Sequence, residues 1–158
     1  MRVPGTALIS DAKPTLNATA RRAAQILVGK GLGFAVPTAR QKKNLVVAFA
    51  KRDRIVYGKA FDVVRLSGRV DLDDLEDVER HLKQLTLYEI KSTAKKCADD
   101  FRGHFFSITA AEILVSQSLR DQFKFVFVNI QTNNHLELTL SEMFGRAKGI
   151  YPGWSISF

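Results

Sequence analysis

The feature that most constrains the fold is an almost continuous apolar run in the last third of the chain. It reads Phe123-Lys124-Phe125-Val126-Phe127-Val128-Asn129-Ile130. A strand that is apolar at both sets of alternating positions is typically buried on both faces of its sheet. The run therefore predicts a buried central strand, and the fold must supply the layers that cover it.

The other periodic segments predict an alternation of helices and strands around this central strand. Thr109-Ala110-Ala111-Glu112 has the pattern of a capping box that opens a helix running through Leu119. The remaining helices are predicted at 18–28, 39–50 and 70–84, the last of them acidic and capped by Asp71 or Asp73. Further strands are predicted at 55–57, up to 66 from Asp62, around Glu89, and at 104–108 and 154–158. Residues 136–140 are predicted to form an edge strand or to lead into a short helix at 141–144. This order predicts an α/β fold with a mixed central β-sheet flanked by helices.

Length and composition predict one domain outside the membrane. The chain has 158 residues, which suits a single core. Pro4, Gly5 and Pro14 interrupt regular structure and predict a flexible N-terminal arm over residues 1–16. There is no signal-peptide pattern and no run of about 18 apolar residues, so we expect a cytoplasmic protein without a membrane partner. Cys97 is the single cysteine, which excludes an intrachain disulfide and a cysteine-based zinc site.

The positive charge is concentrated in the first part of the chain. The net charge of +8 divides unevenly, because residues 1–60 hold 12 Lys and Arg against 2 Asp, a net charge of +10. Residues 61–158 hold 12 Lys and Arg against 14 Asp and Glu, a net charge of −2. Such a basic segment attracts polyanions, so we expect nucleic acid as the partner in preference to a merely solvated basic surface.

Two segments carry candidate catalytic residues. In Tyr88-Glu89-Ile90-Lys91 the alternation of a strand places Glu89 and Lys91 side by side on one face. Such a pair can also be a surface salt bridge of little energetic consequence. Upstream, Asp62 stands alone in an apolar strand, where burial is costly unless backbone amides, a partner or a metal ion satisfy it.

In these residues the chain resembles the PD-(D/E)XK nuclease superfamily, which has the restriction-endonuclease-like fold. Asp62 matches the first acidic residue of the motif, Glu89 the second and Lys91 the lysine. The similarity covers about residues 17–130: a basic helix, a hairpin with the Asp, the (D/E)-x-K strand, a helix and a buried strand. It implies a single nuclease-like domain over residues 17–158, with an acidic helical insertion at about 70–84.

The resemblance implies a metal-dependent endonuclease that hydrolyses phosphodiester bonds in DNA. Asp62, Glu89 and the Ile90 carbonyl would bind Mg²⁺ (or Mn²⁺), and Lys91 would orient or deprotonate the attacking water. Basic residues would hold the sugar–phosphate chain. Those residues are Arg21, Arg22, Lys42, Lys43, Lys95, Lys96, Arg102 and His104.

Alternatives remain open at the level of the sequence. The superfamily often has a Glu on its first helix, where this chain carries Gln25, and this favours a non-catalytic nucleic-acid-binding or assembly module on the same fold. A third hypothesis is a protein-interaction domain whose basic face meets an acidic partner. Asp71 is the alternative first carboxylate. A homodimer is compatible with cutting a duplex, since two-fold symmetry matches that of the DNA.

Overall fold

Five strands form one mixed, open sheet in the computed structural model, which describes residues 18–153 and 156–158. Their order across the sheet follows their order in the chain, β1-β2-β3-β4-β5. Pairing is antiparallel between β1, β2 and β3, parallel between β3 and β4, and antiparallel between β4 and β5. The strands are β1 (Phe34–Ala35), β2 (Val63–Leu66), β3 (Leu85–Thr93), β4 (Phe123–Asn129) and β5 (His135–Leu138). The predicted arm, residues 1–16, lies outside the described residues.

Helices cover both faces of this sheet, as the α/β prediction requires. They are α1 (Ala18–Gly29), α2 (Ala39–Ala50), α3 (Leu75–Arg80), α4 (Ala110–Leu119) and α5 (Leu140–Arg146). The capping box predicted at Thr109 is present, and Thr38 and Thr139 form equivalent boxes with Gln41 and Glu142. No helix in the described part of the chain is long and apolar enough to cross a membrane.

The buried central strand is confirmed as β4, between β3 and β5. We call the sheet face that carries Leu87 and Phe125 the front face, and it packs against residues of α2, α3, α4 and α5. The opposite, back face carries Tyr88 and Val126 and packs against α1. On the back face, the Tyr88 hydroxyl donates a hydrogen bond to Glu137 Oε2 at 2.8 Å, which ties β3 to the edge strand β5.

The acidic helix is much shorter than the predicted span 70–84. It runs over Leu75–Arg80 and is followed by a 3₁₀ turn at Leu82–Gln84. Its N-cap is Asp74, so the prediction of Asp71 or Asp73 was wrong. The Asp71 side chain instead accepts a hydrogen bond from the backbone of Asp73 at 2.9 Å. Such local side-chain bonds compete with helix formation and keep the preceding residues in a turn.

Two predicted strands do not form because their residues dock on other elements. In the segment 104–108, Phe106 packs edge-on against Phe127, with 4.7 Å between ring centroids, and the backbone stays irregular. In the segment 55–57, the Ile55 amide donates to the Ser118 hydroxyl of α4 at 2.6 Å. The part of the predicted strand 154–158 that the structure describes, residues 156–158, is not a strand.

Candidate active site

Asp62 forms hydrogen bonds with the backbone of the two residues that flank Glu89 in the chain. Its amide donates to the Tyr88 carbonyl at 2.8 Å, and its Oδ2 accepts a hydrogen bond from the Ile90 amide at 3.0 Å. It directly precedes Val63, whose partner in the antiparallel register is Tyr88. The Asp62 carboxylate is therefore held beside Glu89, and the Ile90 amide also satisfies part of its hydrogen-bonding capacity.

Glu89 and Lys91 lie side by side on the front face, as the strand alternation predicts. Lys91 Nζ donates to Glu89 Oε1 at 3.2 Å and to Glu112 Oε2 at 2.9 Å. The side chains of Lys91, Glu89 and Glu112 are only 11%, 13% and 6% exposed. A surface salt bridge does not describe this pair, because both members are largely removed from water.

Glu112 is the residue that sequence reasoning missed. Its Oε2 accepts the Thr109 amide at 3.1 Å as part of the capping box, and the same oxygen accepts from Lys91. The structural role assigned from the sequence is real, yet it does not exclude a second contact. The contact follows from the parallel pairing of β3 and β4, because the helix between two parallel strands begins near the carboxyl end of the first.

Lys42 also belongs to this cluster and does not lie on an outer phosphate-binding surface. Its Nζ donates to the carbonyls of Phe61 and of Gly58, the latter at 3.0 Å, and lies 4.7 Å from the centroid of the Phe61 ring. Burial lowers the pKa of Lys42, and the nearby negative charges of Asp62 and Glu89 oppose that shift. The amphipathic pattern of α2 did not reveal this inward orientation.

The carboxyl groups of the site are buried close together, and they repel one another when they are ionised. Burial, with the nearby carboxylates of Asp62 and Glu112, raises the pKa of Glu89 to about 9, although Lys91 opposes the shift. Burial also raises the pKa of Asp62, against the Ile90 amide and the charge of Lys42. Three carboxyl groups thus share two ammonium groups, and the site favours uptake of a proton or of another cation.

A hard cation at this site would have two carboxylate ligands, not three. Asp62 and Glu89 supply oxygen donors of the kind that Mg²⁺ prefers, and the Ile90 carbonyl was predicted as a third. Within residues 18–153 and 156–158, no group of three His, Cys, Asp or Glu side chains is arranged to hold a metal ion. A cation at this place would therefore also depend on backbone oxygen and water. Asp71, the alternative first carboxylate, is exposed and binds its own loop.

The predicted nucleic-acid-binding residues divide between the two faces. Arg21 and Arg22 are exposed on α1, the helix that covers the back face, so the structure does not bring them to the carboxylates. Lys43 is exposed on α2, beside the inward Lys42. The others lie in the connection that follows β3, where they are closest in sequence to the site. They are Lys95, Lys96, Arg102 and His104.

Two of these residues have charged neighbours. Arg102 forms an ion pair with Asp100, with 3.0 Å between Nε and Oδ2. Partial burial lowers the pKa of His104, and the charge of Lys95 lowers it further. Lys95 and Lys96 remain exposed at the end of β3.

Comparison with known proteins does not assign the chain to a family. No protein-family model matches it, and no curated protein or solved structure gives a significant match.

Proposed function

We propose that this protein is a metal-dependent endonuclease that hydrolyses phosphodiester bonds in DNA. The observation that carries the proposal is the convergence of Asp62, which directly precedes β2, with Glu89 and Lys91 of the neighbouring strand β3. Their burial and the raised pKa of Glu89 make the cluster unlike a structural ion pair. Perturbed titratable groups of this kind are typical of catalytic sites.

Each side chain has a defined task in the proposed reaction. Asp62, Glu89 and the Ile90 carbonyl would hold Mg²⁺ or Mn²⁺. When bound, the ion supplies Lewis-acid stabilisation of the charge on the phosphodiester oxygens. Lys91 orients the attacking water with its ammonium group, and Glu112 fixes the direction of that group through the 2.9 Å hydrogen bond. Glu89 binds as a carboxylate, so cation binding should release its proton.

The finer fold assignment is also part of the proposal. The order of elements from α2 to β4 agrees with the restriction-endonuclease-like core: helix, strand preceded by the Asp, antiparallel Glu-x-Lys strand, helix, parallel buried strand. The short helix α3 lies between the two motif strands as an insertion. On this basis we propose membership of the PD-(D/E)XK superfamily. A cytoplasmic location and a homodimer stay predictions, and sizing with light scattering would measure the oligomer.

The direct test is cleavage of supercoiled, linear, branched and single-stranded DNA with Mg²⁺ or Mn²⁺. We expect wild-type protein to cut, and Glu89→Gln and Lys91→Ala to lose roughly 100-fold or more of the rate. Glu76→Gln is the matched control, because Glu76 is an exposed acid on α3 away from the cluster. Cutting that is independent of the metal ion, or that persists in both site variants, contradicts the proposal.

One observation favours the second candidate, a non-catalytic nucleic-acid-binding or assembly module. Neither α1, which carries Gln25, nor α2 contains an acidic residue, so neither of these helices before β2 supplies a further carboxylate to the site. Such a module would bind DNA with a steep salt dependence and would not respond to Glu89→Gln or Lys91→Ala. Binding and cutting measured on the same variants separate the two functions.

A further inference from the structure

The connection between β3 and α4, residues 94–109, begins and ends at the candidate site. At its start, the Lys95 amide donates to Thr93 Oγ1 at 3.1 Å, two residues beyond Lys91. At its end, the Thr109 amide donates to Glu112 Oε2, the oxygen that also contacts Lys91. Both ends of this connection therefore lie at the candidate site.

Aromatic side chains anchor the connection to the front face of the sheet. Phe101 and Phe106 both pack against Phe127, with ring centroids 5.7 Å and 4.7 Å from it. Phe127 is the register partner of Lys91 in the parallel pair of β3 and β4. The His104 ring stacks on Phe106 at 6.2 Å. Residues 101–106 are thus held by packing at the position of the catalytic lysine.

Phe105 alone among these aromatic residues faces outward. It lies between the anchored His104 and Phe106, and it is 78% exposed. Lys95 and Lys96, in the same connection, are exposed too and form no ion pair within the described part of the chain. Proteins that bind single-stranded nucleic acids combine exposed aromatic rings, on which bases stack, with cations that hold the phosphates. This connection exposes both kinds of group.

We infer that Phe105 stacks on an unpaired base of the substrate strand whose phosphate lies at Glu89 and Lys91. The inference rests on the proposed function and specifies its substrate class: single-stranded DNA, or DNA with locally unpaired nucleotides. A paired base inside a duplex has both faces covered by its neighbours, so only an unpaired base offers a face to Phe105. Stacking of this kind is tolerant of sequence, because every base has such a face.

The test is a binding measurement that does not depend on catalysis. Fluorescence anisotropy in EDTA, with a labelled single-stranded DNA and a hairpin duplex of the same sequence, prevents cutting while binding is read. We expect Phe105→Ala to raise the Kd for the single strand about 10-fold and to leave the duplex Kd unchanged. Phe105→Trp should retain the wild-type Kd, because tryptophan also stacks.

Phe144→Ala is the matched control. Phe144 lies on α5 and is 41% exposed. With Arg120 and Asp121 it lines a pocket at the C-terminal end of α4, whereas Glu112 lies at the N-terminal end. Its removal should leave both Kd values unchanged. Thermal unfolding of each variant checks that the fold is retained, which the exposure of both rings predicts.

The outcomes separate this inference from the proposed function. A wild-type protein that does not bind single strands, a Phe105→Ala variant that binds them as wild type does, or an equal loss on duplex and single strand overturns the inference. If the single-strand effect appears while wild-type protein cuts no DNA with Mg²⁺, the proposed nuclease activity fails and Phe105 remains a binding contact. If wild-type protein cuts and Phe105→Ala has no effect, only the inference fails.

Discussion

At the scale of single residues, the Glu89 carboxyl group affects both the stability of the fold and the proposed chemistry. It lies beside Asp62 and Glu112 in a largely buried site, and one lysine, Lys91, contacts it directly. Burying carboxylates together is unfavourable unless protons or cations accompany them. The cluster therefore lowers the free energy of unfolding, and local destabilisation of this kind is common at functional sites.

The raised pKa of Glu89 predicts a specific dependence of stability on pH. Its pKa is about 9 in the folded protein against an ordinary 4.5. Between these values the folded state holds a proton that the unfolded chain has released, so the free energy of unfolding falls as pH rises through this window. From about pH 5.5 to about pH 8, we expect wild-type protein to lose roughly 1–3 kcal/mol more than Glu89→Gln in metal-free urea titrations.

Asp77 and Glu142 serve as the internal control for this experiment. Hydrogen bonds to backbone amides, of Asp71 and of Thr139, lower the pKa of these acids, so their contribution is lost as pH falls and has the opposite sign. Both remain in wild-type protein and in Glu89→Gln, and they cancel in the comparison. Parallel stability profiles for the two proteins would show that Glu89 is not protonated at neutral pH.

Lys42 and its neighbour Lys43 offer a second matched comparison. Lys42→Met keeps the aliphatic stem but leaves the carbonyls of Gly58 and Phe61 without this donor. We expect this change to lower the free energy of unfolding by about 1–3 kcal/mol. Lys43→Met, at an exposed position on the same helix, should change it by less than about 0.5 kcal/mol. Equal effects in chemical denaturation would mean that Lys42 is a surface residue.

At the scale of elements, the first turn of α4 combines a structural and a chemical role. Thr109 Oγ1 accepts the Glu112 amide at 3.2 Å, and the Glu112 carboxylate accepts both the Thr109 amide and Lys91. A parallel crossover brings this helix N-terminus to the end of β3. The same glutamate can therefore close the helix and orient the lysine.

Two substitutions separate these roles. Thr109→Ala removes the capping oxygen and should lower the free energy of unfolding by about 1 kcal/mol. Glu112→Gln keeps a residue that capping boxes accept but removes the charge that faces Lys91. We expect it to retain near wild-type stability and to lose at least about 10-fold of the cleavage rate. Wild-type cleavage by Glu112→Gln would restrict Glu112 to helix capping.

At the scale of the whole molecule, the basic charge does not form one surface. Arg21 and Arg22 lie on α1 over the back face, whereas Lys42 and Lys43 lie on α2 over the front face. Lys95 and Lys96 are exposed at the carboxyl end of β3, beyond the candidate site. Net charge alone is thus a poor guide to the direction from which a polyanion approaches, although it does favour binding.

This distribution of charge predicts which basic side chains displace counterions from the DNA when it binds. The double variant Lys95→Gln/Lys96→Gln should reduce the slope of log K against log salt by about 1–2 for single strands. Arg21→Gln/Arg22→Gln removes the same charge from the back-face helix and should leave the slope nearly unchanged. Anisotropy titrations over a range of NaCl concentrations measure both slopes. A larger change in the arginine variant would place the DNA on the back face.

Local patterns predicted several elements correctly because short-range physics determines them. The apolar run of β4, the helix Ala39–Ala50 and the capping box at Thr109 all formed as expected. The acidic helix was predicted too long, because the bonds between Asp71, Asp73 and Asp77 that hold its first residues in a turn cannot be read from hydrophobic spacing. The segment 104–108 has strand-like composition, but side-chain packing on Phe127 determines its path.

By itself, the sequence determined that Glu89 and Lys91 share one strand face, since alternation is a property of any extended backbone. Only the tertiary structure decided what meets them there. The antiparallel register brings Asp62 beside Glu89, the parallel crossover brings Glu112 to Lys91, and the packing of α2 turns Lys42 inward. These contacts join residues that are distant in the chain, and their geometry depends on how whole elements bury their apolar faces.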